Sequence, residues 1–115
     1  MMTINPEKIS ELKELDDDGS DSVLKELIDL YLDSTPPKLV KMSECFAAND
    51  LASVRKEAHS LRSSSLTLGA EVISQYASDI EYAKEDATTR STMEAGILNA
   101  HNEFEKVKAE LKKYL

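Results

Sequence analysis

At 115 residues the chain has room for one domain with a core of its own, not for two. Its acidic balance, 22 Asp and Glu against 14 Lys and Arg for a net charge of -8, repels phosphate backbones at long range and argues against a nucleic-acid partner. Three Gly, three Pro and no Trp among 41% hydrophobic residues argue against a turn-rich sheet and favour an all-α fold.

Ile9, Leu12 and Leu15 predict a short first helix, opened by Asn5-Pro6 and closed by the acidic, Gly-containing run Asp16-Asp17-Asp18-Gly19. It would lie as a flap over a bundle. A second helix starts from a Ser20 or Asp21 cap and carries Val23, Leu24, Leu27, Leu30 and Tyr31 until Pro36-Pro37 stops it. Proline also suits a first helical turn, so the same pair opens a third helix with Leu39, Met42, Phe46 and Ala47. Asn49-Asp50 then caps a fourth, where Leu51, Val54, Ala58, Leu61, Ser65 and Leu68 fall at three- and four-residue steps.

Gly69 interrupts that register, and a fifth helix from about Ala70 turns Val72, Ile73, Tyr76, Ala77, Ile80 and Ala83 inward. Ser91 with Glu94 three residues later reads as a capping box for the last and longest helix, whose stripe is Met93, Ile97, Ala100, Phe104, Val107 and Leu111. Helices joined by such short connections pack as antiparallel neighbours. The expected architecture is an antiparallel four-helix bundle from residues near 38–48, 51–67, 70–85 and 92–114, with one or two accessory N-terminal helices, all in one domain over 1–115. Leu51, Val54, Leu61, Ile73, Ile80, Phe104 and Val107 are its predicted core.

No stretch reaches the ~18 uninterrupted apolar residues of a membrane span, and the N-terminus lacks a basic or apolar leader region, so a cytoplasmic protein is expected. The Met1 start, the acidic surface and the absence of a trailing linker favour a free-standing protein, with monomer the default oligomeric state. Cys45, the only cysteine, excludes an intrachain disulfide, offers no metal-ligand spacing and reads as a partly buried packing residue.

His59 rides on the fourth helix, roughly 130° from the apolar stripe on a helical wheel, and therefore faces solvent. Ala52, Arg55, Lys56, Arg62, Ser63 and Leu66 share its face. Large side chains at 52 and 63 would block approach to the imidazole, whereas three cations suit an anionic visitor such as a phosphoryl group. Those cations also disfavour adding a charge to the ring, which leaves a neutral nitrogen as nucleophile. Glu57 projects about 160° away, and no second histidine, cysteine or carboxylate is spaced to act as a base beside His59. His101 reads as a boundary residue beside the core. Any chemistry would be completed by a partner.

The run Ala58-His59-Ser60-Leu61-Arg62, then Ser63-Ser64-Ser65 and Leu68-Gly69-Ala70, resembles the signature of histidine-containing phosphotransfer (HPt) domains. Leu27-Ile28-Asp29-Leu30-Tyr31-Leu32, Thr35-Pro36-Pro37 and Ala47-Ala48-Asn49-Asp50-Leu51 extend the likeness, which covers about residues 20–86. The resemblance implies that His59 accepts a phosphoryl group from a receiver-domain aspartyl phosphate and passes it to another aspartate. Leu61 and Gly69 match as structural positions. Arg62 stands where the family usually has lysine, Ser63 where it usually has glycine, and Glu81 where many members carry glutamine; an acid there would repel phosphate if it pointed at the site.

On this reading the protein is a phosphoryl carrier without autonomous catalytic activity and without a metal or cofactor of its own, the partner receiver supplying Mg²⁺. Arg55, Lys56, Arg62 and Ser63 would surround the phosphoryl group, and Ala52 and Leu66 would meet a receiver of a response regulator or hybrid kinase. Two further readings stand beside it. One is a non-catalytic module of the same fold that docks and inhibits a receiver or kinase; the other is a structural or oligomerisation bundle.

Overall fold

Pro6 fills the first turn of α1 (Pro6–Lys13), and the Asn5 side chain accepts the Glu7 N–H at 3.0 Å, so this end of the helix is capped. The computed structural model describes residues 2–16 and 18–115; Met1, and Asp17 of the acidic run read as a helix stop, lie outside the described residues. Ile9 and Leu12 are buried beneath α1, but Leu15 lies past the helix end and is exposed.

The next element departs from the sequence reading. α2 (Ser22–Ala47) is one helix of 26 residues that runs straight through Pro36 and Pro37. Leu24, Ile28, Tyr31, Thr35, Leu39 and Met42 form one buried stripe across the prolines. Each interior proline costs about 3 kcal/mol, whereas each fully buried large apolar side chain returns about 1.5–3 kcal/mol. The rings and Asp33 are exposed and Leu32 is half-buried, so the two carbonyls deprived of donors, those of Leu32 and Asp33, lie toward water rather than the core. The second and third expected helices are thus one bundle member, a single accessory helix remains, and α2 rather than the last helix is the longest.

The cap of α2 also differs. Asp21 occupies the N-cap position in a left-handed conformation (φ 57°) and makes no side-chain cap bond. Asp16 takes over, its carboxylate accepting from the Val23 N–H at 2.9 Å and from the Ser22 hydroxyl at 3.2 Å.

α3 (Leu51–Thr67) starts where expected, with Asp50 accepting the Ser53 N–H. Val54, Ala58, Leu61, Ser65 and Leu68 point into the core, and Leu51 is half-buried. α4 (Glu71–Glu81) is shorter than the expected 70–85. α5 (Thr89–Lys112) begins before the expected capping box, which does not form: the Ser91 hydroxyl donates to the Thr88 carbonyl. Thr89 is itself tied into the preceding turn, donating to the Asp86 carbonyl at 2.9 Å, and this draws the helix start forward.

The described residues form five helices and no strand, and the pairs α2/α3, α3/α4, α4/α5 and α2/α5 close a ring, a four-helix bundle with α1 against α2. Gly96 lets α5 approach α4 closely, since a Cβ there would sit 2.5 Å from Ile80 Cγ1. No helix is long and apolar enough to cross a membrane among the described residues.

Gly69 is required twice over. Its φ of +73° is left-handed, and an added Cβ would lie 2.8 Å from Lys8 Cβ and 3.2 Å from the Asn5 carbonyl. The Asn5 N–H donates to the Gly69 carbonyl at 2.8 Å, so this turn holds α1 to the bundle. Gly69→Ala is expected to cost about 1–2 kcal/mol from backbone conformation alone. Displacement of α1 adds to this, read as a lower urea midpoint and faster amide exchange at Ile9 and Leu12; unchanged exchange there would mean that the turn does not anchor α1.

Candidate functional site

The buried stripe of α3 sets the rotation of that helix and turns His59 to the opposite side, where 58% of its side chain is exposed. Ala52, Lys56, Ser63 and Leu66 are exposed around it, with Leu66 at 47%. The sequence-derived face is therefore assembled as a face.

What α4 adds to it was not legible. Ile73, Ala77 and Ile80 turn into the core, which places Glu81, at the last turn of α4, against the His59 side of α3. Its Oε2 lies 2.6 Å from His59 Nδ1, and its Oε1 accepts from Arg62 Nε at 2.9 Å. The expectation that no carboxylate stands beside His59 is overturned, because spacing along one helix cannot reveal a group delivered by its neighbour. An approach of 2.6 Å between a ring nitrogen and a carboxylate oxygen places a proton between them, so Nδ1 is the protonated nitrogen. Arg62 Nη2, at 3.2 Å from the same Nδ1, then has no lone pair to meet there and reaches the Tyr82 hydroxyl at 3.3 Å instead. Nε2 has no protein partner among the described residues and is open to solvent.

Burial pushes the Glu81 carboxyl up, but hydrogen bonds from Arg62 and His59, together with their charges, outweigh it and hold the carboxyl below its ordinary range. The same Glu81 contact raises Arg62 above the usual guanidinium value. Arg62 also stacks over the Tyr82 ring at 5.7 Å. Tyr82 escaped the sequence reading because it lies off the Ile73-Ile80-Ala83 stripe and meets a residue of another helix.

Arg55 is engaged as well. Its Nη1 donates to the Glu81 carbonyl at 2.7 Å, satisfying a backbone acceptor at the end of α4, and its Nη2 lies 4.0 Å from Glu85. Only Lys56 of the three cations has no ion-pair partner among the described residues. The face is thus not the uniformly positive pocket read from the sequence: two of its three cations are paired with carboxylates, and the arginines act first as braces between α3 and α4. Ser63 keeps its side chain toward solvent, and its carbonyl accepts from Thr67 Oγ1 at 3.1 Å.

Behind the face, Leu61 is fully buried and the Tyr31 hydroxyl meets Ser65 Oγ at 2.8 Å in the core. Burial pushes the Tyr31 phenol up to about 12, against the opposing hydrogen bond of Ser65. Glu57 points elsewhere, paired with Lys41 at 3.2 Å; His101 meets Ser43 at 3.1 Å at the core boundary, and Cys45 is half-buried. No group of three or more His, Cys, Asp or Glu able to hold a metal ion occurs among the described residues.

The arrangement offers one exposed, oriented imidazole nitrogen ringed by small side chains and braced by two arginines. In comparisons with known proteins, the family model for the Hpt domain matches residues 26–112, from within α2 to the end of α5 and beyond the 20–86 in which the likeness was legible. A search of curated proteins finds no match.

Proposed function

This chain belongs to the Hpt domain family, histidine phosphotransfer modules of two-component signalling that carry a phosphoryl group rather than catalyse, and from that premise we propose that it is a phosphorelay intermediate using His59. The observation that carries the reading is the free His59 Nε2, exposed among Ala52, Ser63 and Leu66 with Nδ1 anchored on Glu81. Nε2 attacks the phosphorus of a receiver's aspartyl phosphate in line, the acyl P–O bond breaks, and the aspartate leaves as a carboxylate. Transfer to a second receiver reverses these steps. Both linkages are high-energy, so direction depends on which partner is loaded.

The chain's part is nucleophile, position and charge. Ala52 and Ser63 leave room for the receiver's surface, Leu66 gives it an apolar contact, and Lys56 is the cation free to meet the phosphoryl oxygens. Arg62 and Arg55 steady the Glu81 end of α4. We assign Mg²⁺ to the receiver, where it offsets phosphoryl charge, because Glu81 and Glu85 are the acids beside His59 and arginines already engage both. A cytoplasmic location follows from such partners.

The test is to mix phosphorylated receiver domains with the protein and look for an acid-labile phosphoryl group on it. Binding without transfer would instead support a docking module. Arg62→Ala is expected to slow transfer about tenfold, the loss of one charge-assisted hydrogen bond of about 1.5 kcal/mol. Stopped-flow rates equal to wild type would reduce Arg62 to a surface charge.

A further inference from the structure

Tyr82 is 66% exposed, the most open large apolar side chain and the sole exposed aromatic among the described residues. It stands at the His59 site, because the same Arg62 Nη2 lies 3.2 Å from His59 Nδ1 and 3.3 Å from the Tyr82 hydroxyl. An aromatic body in water is unfavourable, and a ring so placed gains most when a partner covers it.

We infer that Tyr82 is a docking residue for the receiver domain, one that fixes how the receiver sits on the His59 face and favours receivers with an apolar side chain at the matching point of their rim. This rests on the reading that a receiver's aspartate reaches Nε2. Transfer brings the two domains into contact around His59, and even a weak, transient contact of about 600 Å² per partner spans roughly 25 Å. A phenol that shares an arginine nitrogen with the imidazole falls inside that footprint.

The ring is held in place before a partner arrives. Ile80 and Ala83 on either side are buried, the Tyr82 N–H donates to the Ser78 carbonyl at 2.9 Å, and Arg55 binds the Glu81 carbonyl at 2.7 Å, so the backbone at the end of α4 is fixed. Arg62 then lies 5.7 Å from the ring centroid and donates to the hydroxyl. A side chain already ordered loses little freedom on binding, and tyrosine and arginine are among the residue types in which contact energy concentrates.

The open side of the ring sets the partner's chemistry. Tyr82 walls a hollow between α4 and α5 that Ser78, Ala83, Ala95 and Gly96 also line, and these small residues leave room for an inserted side chain. Asp79 and Lys84 border the hollow with opposite charges, so neither sign is favoured there and the complement is apolar. With Leu66 on α3 and Tyr82 on α4 both engaged, a receiver anchored at His59 can no longer rotate about that point.

The experiment mixes receiver domains, phosphorylated with acetyl phosphate and desalted, with wild type, Tyr82→Ala, Tyr82→Phe and a control, Leu98→Ala, whose side chain is 60% exposed beside Ser43 and Phe46. Transfer is followed at several receiver concentrations to separate KM from kcat, and His59 is loaded in parallel from phosphoramidate, a small-molecule donor that needs no docking. Tyr82→Ala should raise the KM for the receiver about tenfold, and receiver transfer should fall about tenfold relative to phosphoramidate loading. Tyr82→Phe, which keeps the ring, should return KM to within about threefold of wild type, and Leu98→Ala should match wild type.

A Tyr82→Ala KM within about twofold of wild type would overturn the inference, as would a phenylalanine variant no better than alanine, an equal fall in phosphoramidate loading, or an equal rise in KM for Leu98→Ala. Should no receiver transfer to the wild type, affinity for the same receivers carrying beryllofluoride in place of the phosphoryl group decides between the two readings. A complex about tenfold weaker in Tyr82→Ala would keep Tyr82 as the docking residue and remove the relay reading alone. Equal affinities, or no complex with any receiver, would remove the docking role.

Discussion

Replacing His59 by alanine is expected to abolish phosphoryl acceptance from any receiver while leaving the bundle folded. The side chain is 58% exposed and its hydrogen-bond partner is Glu81, which stays bonded to Arg62 when the imidazole is gone. Alanine is also the better helix former, so stability should stay within about 0.5 kcal/mol of wild type. The other histidine and the cysteine are poorly placed to replace it, since His101 is engaged by Ser43 at the core boundary and Cys45 is half-buried. The measurement pairs a transfer assay for acid-labile phosphate with a urea melt of the same sample. Full acceptance by the variant would move the phosphoryl group to another residue and remove the central reading.

Leu61→Ala, two residues along the same helix, should do the opposite and damage the fold first. Leu61 is fully buried among the facing stripes of the bundle, and deleting its branched end removes transfer energy and leaves a cavity worth together about 2–5 kcal/mol. Against a total stability of about 5–15 kcal/mol this is a large fraction, and the urea midpoint should fall by about 1 M or more. Leu66→Ala is the control, because Leu66 is 47% exposed on the same helix and should change stability by less than about 0.5 kcal/mol. Equal midpoints for the two variants would mean that the α3 stripe does not carry the core.

Where local chemistry and tertiary packing agreed, the elements were legible. Asp50 caps α3 as its side chain predicts, Asn5-Pro6 opens α1, and the three-and-four spacing of Val54, Ala58, Leu61, Ser65 and Leu68 is the buried stripe. The core residues named from periodicity are buried, apart from half-exposed Leu51. Where the two conflicted, packing prevailed. Pro36-Pro37 is a strong local stop, yet one apolar stripe on either side of it in the same helical register outweighs two missing donors. The Ser91/Glu94 box was a sound local motif, displaced because Thr89 and Asp86 build the preceding turn and start α5 earlier.

The sequence by itself determined that the chain is helical, that His59 lies on the outer side of an amphipathic helix, and that small residues leave the imidazole approachable. Those properties depend on the 3.6-residue period and on side-chain size, both of which are local. Only the tertiary structure decided what touches the ring. Glu81 and Tyr82 reach the His59 face because Ile80 is packed in the core, Gly96 lets α5 close on α4, and Arg55 holds the last turn of α4 by its carbonyl. Two arginines that read as free charge thereby became braces, and an acid that read as a liability became the partner of Nδ1: a charge's role is set by its nearest neighbours in space, and helix spacing describes one helix at a time.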